Sequence, residues 1–254
     1  MAVPAALPPD YDTWTFDRGY AASRRDVAVA VRHAVETQGS LYRWAGRESG
    51  RKVFHGRGEA YGVALGGVPA VVRHARRGGV VARFSADWFF GPPRFLREIL
   101  VARALAEAGV ATPDVLAGVA YAAGLGNRAD VATARAEGRD LAAVLFGDAP
   151  PAGPGRATLL AAVGGLVRRL HDAGYVHPDL QLRNLLVTVG EPAGPAVMLL
   201  DVDTCRRFVR TRDAERRANL ARFYRSWEKW NRRRGPRLTA EDRAAFEAGY
   251  GAPA

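Results

Sequence analysis

The chain has 254 residues, of which 48% are hydrophobic and 25% charged, a balance typical of a folded globular protein rather than a disordered one. Its single cysteine excludes an internal disulfide and a zinc site built from several cysteines, and no run of about 18 apolar residues is present to form a membrane-spanning helix. The 37 basic residues outnumber the 26 acidic ones, and the resulting net charge of +11 favours anionic partners such as phosphates, nucleic acid or an acidic membrane face.

The first half of the sequence predicts a β-rich region with one strong helix. Residues 1–22 carry three prolines and predict an irregular arm; they lack the basic start of a secretory signal, so we expect a cytoplasmic protein. Downstream we expect a short helix at 26–37, an antiparallel meander of strands at 53–54, 60–65 and 70–73 with a tight turn at Gly66-Gly67, a helix at 93–108, and strands near 115–121 and 129–134.

The second half predicts mainly helices, after a hinge near residues 133–138. A short helix is expected at 140–146, a loop at 147–155, a long helix at 156–173, two strands at 185–187 and 197–200, and a final helix at 213–231. The long helix places six apolar residues on its inward face, namely Leu159, Leu160, Val163, Leu166, Val167 and Leu170.

Residues 177–184 read His-Pro-Asp-Leu-Gln-Leu-Arg-Asn, and a hydrophobic strand follows them. Asp201 ends the next predicted strand. This spacing is typical of kinase-like phosphoryl transfer, in which Asp179 would meet the attacking hydroxyl while Asn184 and Asp201 hold Mg²⁺ against the phosphates of ATP. Each residue alone is more often a turn or cap residue or, for His177, a core histidine with its hydrogen bonds satisfied. The joint pattern favours the catalytic interpretation, in which His177 is a scaffold that holds the loop and not a base.

A nucleotide-binding loop is predicted upstream, at residues 56–62. Gly56 and Gly58 lie between two predicted strands, where glycine lets backbone N–H groups approach phosphates closely. A glycine-bearing turn between strands is more often only a turn. The binding interpretation is favoured here because this loop precedes the strand at 70–73, as the phosphate loop of a kinase would.

Lysine is present only at positions 52 and 229, so the strand after this loop has no lysine to orient the phosphates. Arg73 is the basic residue in register on that strand, and arginine can bind phosphate and pair with a carboxylate at the same time. We expect that carboxylate to be Glu98, in the middle of the helix at 93–108; the alternative is that Glu98 lies on a solvated helix face.

These residues lie within stretches that resemble the lipopolysaccharide kinases of the 3-deoxy-D-manno-octulosonic acid (Kdo) kinase type. The resemblance covers roughly residues 50–230 in order, and its stretches are 73–79 with Arg83, 94–98, 138–141, 170–186, 199–203 and 219–223. Within them are Arg-His-Ala-Arg-Arg-Gly-Gly, Arg-Phe-Leu-Arg-Glu and Leu-Leu-Asp-Val-Asp.

The resemblance implies an α+β, bilobal protein-kinase-like fold with a β-rich N-lobe and a reduced, mostly helical C-lobe. We assign residues 1–49 to an N-terminal extension, 50–136 to the N-lobe and 137–254 to the C-lobe. It also implies an ATP-dependent enzyme that phosphorylates Kdo on lipid A, a lipid-linked sugar acceptor, and a peripheral location on the inner face of the bacterial inner membrane. The basic run at 232–234, beside Trp227 and Trp230, suits an anionic membrane surface; the alternative is that the aromatic residues pack in the core.

Other functions fit the sequence less well. A protein substrate is not favoured, because Gln181 replaces the usual lysine of protein kinases, no Ala-Pro-Glu tripeptide is present, and only 53 residues follow Asp201. Nucleic-acid binding suits the charge but leaves Asp179, Asn184 and Asp201 unexplained. A heptose or other small-molecule kinase, or a pseudokinase that binds nucleotide without transfer, remains open, and the oligomeric state is not predicted.

Overall fold

The computed structural model describes residues 7–55, 58–75, 91–123, 126–188, 194–208, 212–235 and 237–251. The chain divides into two compact units, one formed by residues 1–103 and 113–136 and the other by residues 104–112 and 137–254.

The first unit is built on a seven-stranded antiparallel sheet with the strand order β1-β2-β6-β7-β5-β4-β3. The strands are β1 (Tyr11–Phe16), β2 (Gly19–Arg24), β3 (Lys52–His55), β4 (Glu59–Leu65), β5 (Val68–His74), β6 (Val115–Ala123) and β7 (Gly126–Ala134). The meander expected at 53–73 is confirmed, and Gly66 and Gly67 both have positive φ at its tight turn, where glycine avoids the steric cost of a Cβ.

The irregular arm expected over residues 1–22 is wrong for residues 11–22, and residues 1–6 lie outside the described part of the chain. Residues 11–24 form the β1–β2 hairpin, and β2 continues the sheet by pairing with β6. Pro8 and Pro9 precede the first strand and therefore do not interrupt its hydrogen bonds. The segment expected to be an extension thus supplies two strands of the sheet, together with α1 (Ala28–Gln38) and α2 (Leu41–Ala45).

The two faces of this sheet bury different side chains. Val72 and Val119 belong to a core that also contains Val31 and Leu41 from α1 and α2. Because neighbouring residues of a strand point to opposite faces, Arg73 lies on the other face, which helix α3 (Arg94–Glu107) covers.

The ring of Phe95 shows how closely α3 approaches that face. A Cβ on Gly118 would lie 2.1 Å from the ring of Phe95, so only glycine leaves room for this contact. Phe95 also stacks on Tyr20 of β2 at a centroid distance of 6.2 Å. The helix expected at 93–108 is therefore confirmed, and its packing against β2 and β6 positions its polar residues over the sheet.

The second unit is mostly helical, and its helices are α4 (Leu141–Phe146), α5 (Gly153–Asp172), α6 (Arg212–Arg234) and α7 (Ala240–Tyr250). Short strands β10 (Leu185–Thr188), β11 (Ala196–Leu199) and β8 (Arg139–Asp140) form one sheet, and β9 (Tyr175–Val176) pairs with β12 (Arg206–Arg207). The expected helices and strands of this half are confirmed with two exceptions: α5 begins three residues earlier, inside the expected loop, and α6 is not the final helix, because α7 follows it.

Helices α5 and α7 cross at glycines. A Cβ on Gly164 would lie 2.1 Å from the carbonyl oxygen of Phe246, and one on Gly249 would lie 1.9 Å from that of Ala161. Phe246 in turn stacks on Phe223 of α6 at 4.7 Å. The six apolar residues predicted on the inward face of α5 are all buried, so this core joins the three long helices.

Candidate active site

The segment from His177 to Asn184 forms a compact loop between β9 and β10. The loop turns at residues 178–179 and ends in a 3₁₀ turn over Leu182–Asn184. Backbone bonds from Leu180 N to His177 O and from Asn184 N to Gln181 O, both 2.9 Å, hold these two turns. Asp179 and Asn184 were predicted to act together at a spacing of five residues, and this spacing spans two consecutive turns.

Asp179 lies at the centre of a set of donors. Gln181 Nε2 donates to its Oδ2 at 2.9 Å, and Arg222 Nη2 donates to its Oδ1 at 2.5 Å. Asn184 Nδ2 donates to the Asp179 carbonyl oxygen at 2.8 Å and lies 3.4 Å from Oδ2. The carboxylate is one-third exposed, so it is oriented by its neighbours and still reachable from solvent.

Asn184 and Asp201 are brought together by the register of two strands. Leu185 pairs with Leu199 across the β10–β11 ladder, and Leu200 N donates to Asn184 O at 2.8 Å, which extends the pairing by one residue. Asp201 follows at once, with φ of 62°, and is the non-glycine residue with positive φ among the described residues. Aspartate tolerates this left-handed conformation better than most residues, and strained positions of this kind cluster at functional sites.

His177 stabilises the loop through hydrogen bonds and does not act as a proton-transfer group. Its Nδ1 accepts from Asp179 N at 3.2 Å, which leaves Nε2 to donate to Leu200 O at 3.0 Å. Both bonds are satisfied by the neutral ring, and burial lowers the pKa of His177 below its usual range. The histidine therefore ties the backbone at Asp179 to the residue that precedes Asp201, as expected of a scaffold.

Helix α6 presents three polar side chains to this loop, at positions 219, 222 and 226. Asn219 Oδ1 accepts from His177 N at 3.2 Å while its Nδ2 donates to His177 O at 2.6 Å. Ser226 Oγ accepts from Leu182 N at 3.3 Å. Spacings of three and four residues put these side chains on one stripe of the helix.

No role at the site was predicted for these three residues from the sequence. A signal was available, because Asn219 and Ser226 are buried among the apolar residues Phe223 and Trp227 of the same helix. Buried polar side chains need hydrogen-bond partners, so an apolar stripe that contains two of them predicts a polar partner outside the helix.

The donor set of the loop suits a magnesium ion bound together with phosphates. Among the residues that the structure describes, no group of three or more His, Cys, Asp or Glu side chains could hold a metal by itself. Mg²⁺ needs only one or two protein oxygens when phosphates and water supply the rest. Asn184 directs its amide nitrogen to Asp179, which leaves its Oδ1 for a cation, and the carboxylate of Asp201 is the second hard oxygen donor.

In the first unit, the expected ion pair between Arg73 and Glu98 is confirmed. Arg73 Nη2 lies 2.6 Å from Glu98 Oε1, and the Glu98 side chain is 5% exposed against 28% for Arg73. The pair forms because Arg73 lies on the sheet face that α3 covers. A buried carboxylate that accepts from a half-buried guanidinium fixes the direction of the arginine side chain.

The predicted phosphate loop is only partly within the described structure. Gly58 lies directly before β4, whereas Gly56 lies outside the described residues. Residues 76–79 and Arg83, which belong to the family-resembling stretches, also lie outside the described residues.

The antiparallel sheet with its ion-paired helix in one unit, and the loop with Asp179 and Asn184 in the other, are each typical of the protein-kinase-like class of phosphotransferases. The profile of the Lipopolysaccharide kinase (Kdo/WaaP) family matches residues 42–250. The chain belongs to this family and is a kinase that acts on a sugar hydroxyl in lipopolysaccharide biosynthesis.

Several curated relatives are named 3-deoxy-D-manno-octulosonic acid kinase. The one from Vibrio cholerae is 32% identical over 185 residues, which are 71% of this chain and 74% of that protein. The one from Actinobacillus succinogenes is 34% identical over 194 residues, or 74% and 78% of the two chains. The resemblance predicted from the sequence is therefore confirmed at the level of the family.

A solved structure of WaaP in complex with acyl carrier protein has the same fold. It aligns with a TM-score of 0.55 and 22% identity, and it covers 78% of this chain and 77% of that one. The α+β, kinase-like fold class expected from the sequence is confirmed. Within the described residues, no helix combines the length and apolar character needed to cross a membrane.

Proposed function

We propose that this kinase transfers the γ-phosphoryl group of ATP to a hydroxyl of a Kdo residue on a lipid A precursor, in a reaction that needs Mg²⁺. The acceptor is inferred from the relatives named Kdo kinase, which are 32% and 34% identical over about three-quarters of each chain. The observation that carries the chemistry is the hydrogen bond from Asn184 Nδ2 to the carbonyl oxygen of Asp179. The carbonyl oxygen of Asn184 accepts from Leu200 N, and this bond brings Asp201 next to Asn184.

Asp179 is the group that receives the acceptor hydroxyl. Its carboxylate orients the hydroxyl in line with the γ-phosphorus and takes up the proton as the new P–O bond forms. The bond between the γ-phosphorus and the bridging oxygen breaks in the same step, and ADP leaves with the electron pair. Gln181 and Asn184 hold Oδ2 and the backbone of Asp179 in place, so the carboxylate needs little reorganisation.

Asn184 Oδ1 and the Asp201 carboxylate are the proposed ligands of Mg²⁺. When bound, the ion neutralises charge on the β- and γ-phosphates. The left-handed backbone at Asp201 and the bond from Leu200 N to Asn184 O keep the two ligands at neighbouring positions.

Arg73 and the glycines at 56 and 58 are the proposed contacts for the nucleotide phosphates. The carboxylate of Glu98 accepts from Arg73 Nη2 and so fixes the direction of a guanidinium that can also bind phosphate oxygens. Arginine performs here what lysine does in most kinases, and it keeps its charge at every physiological pH.

A peripheral position on the inner face of the bacterial inner membrane follows from the lipid-linked acceptor. Arg232, Arg233 and Arg234 are exposed at the C-terminal end of α6 and suit an anionic surface. The ring of Trp230 packs 5.4 Å from that of Phe146 and Trp227 is buried, so membrane contact is proposed for the arginines alone.

The direct test is to incubate the protein with radiolabelled ATP, Mg²⁺ and a panel of Kdo-lipid A, heptosylated lipid and free sugars. We expect label on Kdo-lipid A, and we expect Asp179→Ala to abolish it while the variant still folds and binds nucleotide. Asp148→Ala, in the loop before α5, is the matched control and should keep native turnover. Label on the heptosylated lipid alone would replace the proposed acceptor, and nucleotide binding without transfer to any acceptor would favour a pseudokinase.

A further inference from the structure

We propose that Arg222 of helix α6 supplies the positive charge that stabilises the phosphoryl group during transfer. The loop residue Gln181 is neutral and does not supply this charge. This inference rests on the proposed function and assigns a further residue to its site. Arg222 lies 43 residues after Asp179, within the stretch 219–223 that resembles the family, and no role in the reaction was predicted for it.

The charge balance around Asp179 calls for such a residue. The residue two positions after the catalytic aspartate is neutral here, since Gln181 donates an amide N–H to Oδ2 at 2.9 Å. On the other oxygen, Arg222 Nη2 donates to Oδ1 at 2.5 Å. Of the side-chain donors that contact this carboxylate, Gln181 and Asn184 are uncharged amides, and Arg222 brings the cation.

The position of Arg222 puts that cation close to the reacting phosphorus. The acceptor oxygen must lie within about 3 Å of the Asp179 carboxylate to give up its proton. In-line attack brings the same oxygen to roughly 3 Å from the γ-phosphorus. A guanidinium bonded to Oδ1 is therefore a near neighbour of the phosphoryl oxygens, and preorganised donors there stabilise the charge that develops in the transition state.

Arg222 is held for this task by its helix and remains open to substrate. One helical turn before it, Asn219 forms hydrogen bonds with both the N–H and the carbonyl oxygen of His177. One turn after it, Ser226 Oγ accepts from Leu182 N. The side chain between them is 30% exposed, as accessible as Asp179 itself at 33%. One N–H is used by Asp179, so the other donors of the guanidinium fork are available for phosphoryl oxygens.

The competing explanation is that the ion pair merely ties α6 to the loop. The two explanations differ in what a lysine at position 181 would do. The Gln181 amide reaches Asp179 from within the loop, so a lysine there would restore a positive charge beside the carboxylate. It would not restore a tie to α6, because residue 181 belongs to the loop itself.

The experiment compares initial rates of phosphoryl transfer to the acceptor that the native protein labels. We expect Arg222→Gln to lower kcat by about 100-fold with little change in KM for ATP, and Arg222→Lys to lose less. In the double variant, Gln181→Lys should recover about tenfold of the kcat lost in Arg222→Gln. Arg217→Gln, an exposed position on the same helix, should retain native kinetics, and circular dichroism should find all variants folded.

A kcat within about twofold of native for Arg222→Gln would overturn the assignment and leave the proposed function intact. The assignment would also be overturned by a loss of kcat in Arg222→Gln that Gln181→Lys does not relieve and that accompanies a lower melting temperature. That result would mean that the ion pair only ties α6 to the loop. If Arg222→Gln fails to fold, the kcat of Arg222→Lys is compared with that of the double variant Arg222→Lys, Gln181→Lys. A charge role predicts a higher kcat for the double variant. If the native protein itself labels no sugar, it is the proposed function that fails, and the role of Arg222 falls with it.

Discussion

Asp201 combines a left-handed backbone with the position next to Asn184, and its carboxylate is the proposed metal ligand. Replacement by alanine would add backbone strain as well as remove the ligand, so Asp201→Asn is the cleaner variant, because asparagine tolerates the left-handed region. We expect Asp201→Asn to lose the gain in ATP affinity that Mg²⁺ gives the native protein, by about tenfold or more. A Mg²⁺ titration of nucleotide binding measures this, and an unaltered titration would contradict the metal-binding role.

Glu98 is a buried carboxylate whose partner is the Arg73 guanidinium, 2.6 Å away. Glu98→Gln keeps the shape of the side chain and an oxygen acceptor but removes the charge that holds the arginine in one direction. We expect KM for ATP to rise about tenfold with a smaller change in kcat, because the pair is proposed to orient phosphates before the reaction.

The control for this prediction is Glu107→Gln, an exposed residue at the end of the same helix. It should leave KM for ATP unchanged. An unchanged KM in Glu98→Gln would mean that the ion pair only stabilises the fold of the first unit.

At the scale of elements, the crossing of α5 and α7 depends on two glycines. A Cβ at Gly249 would lie 1.9 Å from the carbonyl oxygen of Ala161, which is backbone and cannot move aside without parting the helices. We therefore expect Gly249→Ala to lower the free energy of unfolding by about 1–3 kcal/mol, the usual cost of overpacking a core.

Gly155 is the matched control, because a Cβ there would meet nothing within 4 Å in the first turn of α5. Gly155→Ala should be neutral or slightly stabilising, since alanine favours the helix. Thermal unfolding followed by circular dichroism measures both variants. Equal melting temperatures for the two would contradict the close crossing.

At the scale of the whole molecule, the net charge of +11 bears on membrane association. Electrostatic attraction of basic side chains to an anionic leaflet contributes about 1 kcal/mol for each residue near the surface and weakens as salt rises. We expect the protein to bind vesicles that contain anionic lipid at low salt and to release them at high salt. Replacing Arg232, Arg233 and Arg234 together by glutamine should weaken this binding about tenfold or more.

Sedimentation with vesicles measures the effect, and neutral vesicles serve as the control for contact through apolar side chains. The triple variant should keep native transfer to a soluble acceptor. Binding that is unchanged in the triple variant would mean that another surface carries the contact, and binding that is insensitive to salt would contradict an electrostatic origin.

Much of this protein was predictable from patterns within single segments. The inward face of α5 follows from apolar residues three and four positions apart, and the loop at 177–184 carries Asp179 and Asn184 at a spacing set by two consecutive turns. Arg73 and Glu98 were paired on the expectation of a kinase-like arrangement, and their contact follows from the alternation of faces along β5.

The sequence by itself therefore determined the residues of the loop at 177–184, the amphipathic helices and the family, because these depend on side chains near one another along the chain. Only the tertiary structure decided that residues 11–24 are strands, that α7 crosses α5 at glycines, and that Arg222 reaches Asp179. Each of these depends on a contact between segments far apart in sequence. Such contacts form when the folded chain buries apolar surface and satisfies polar groups across elements, and periodicity within one segment does not record them.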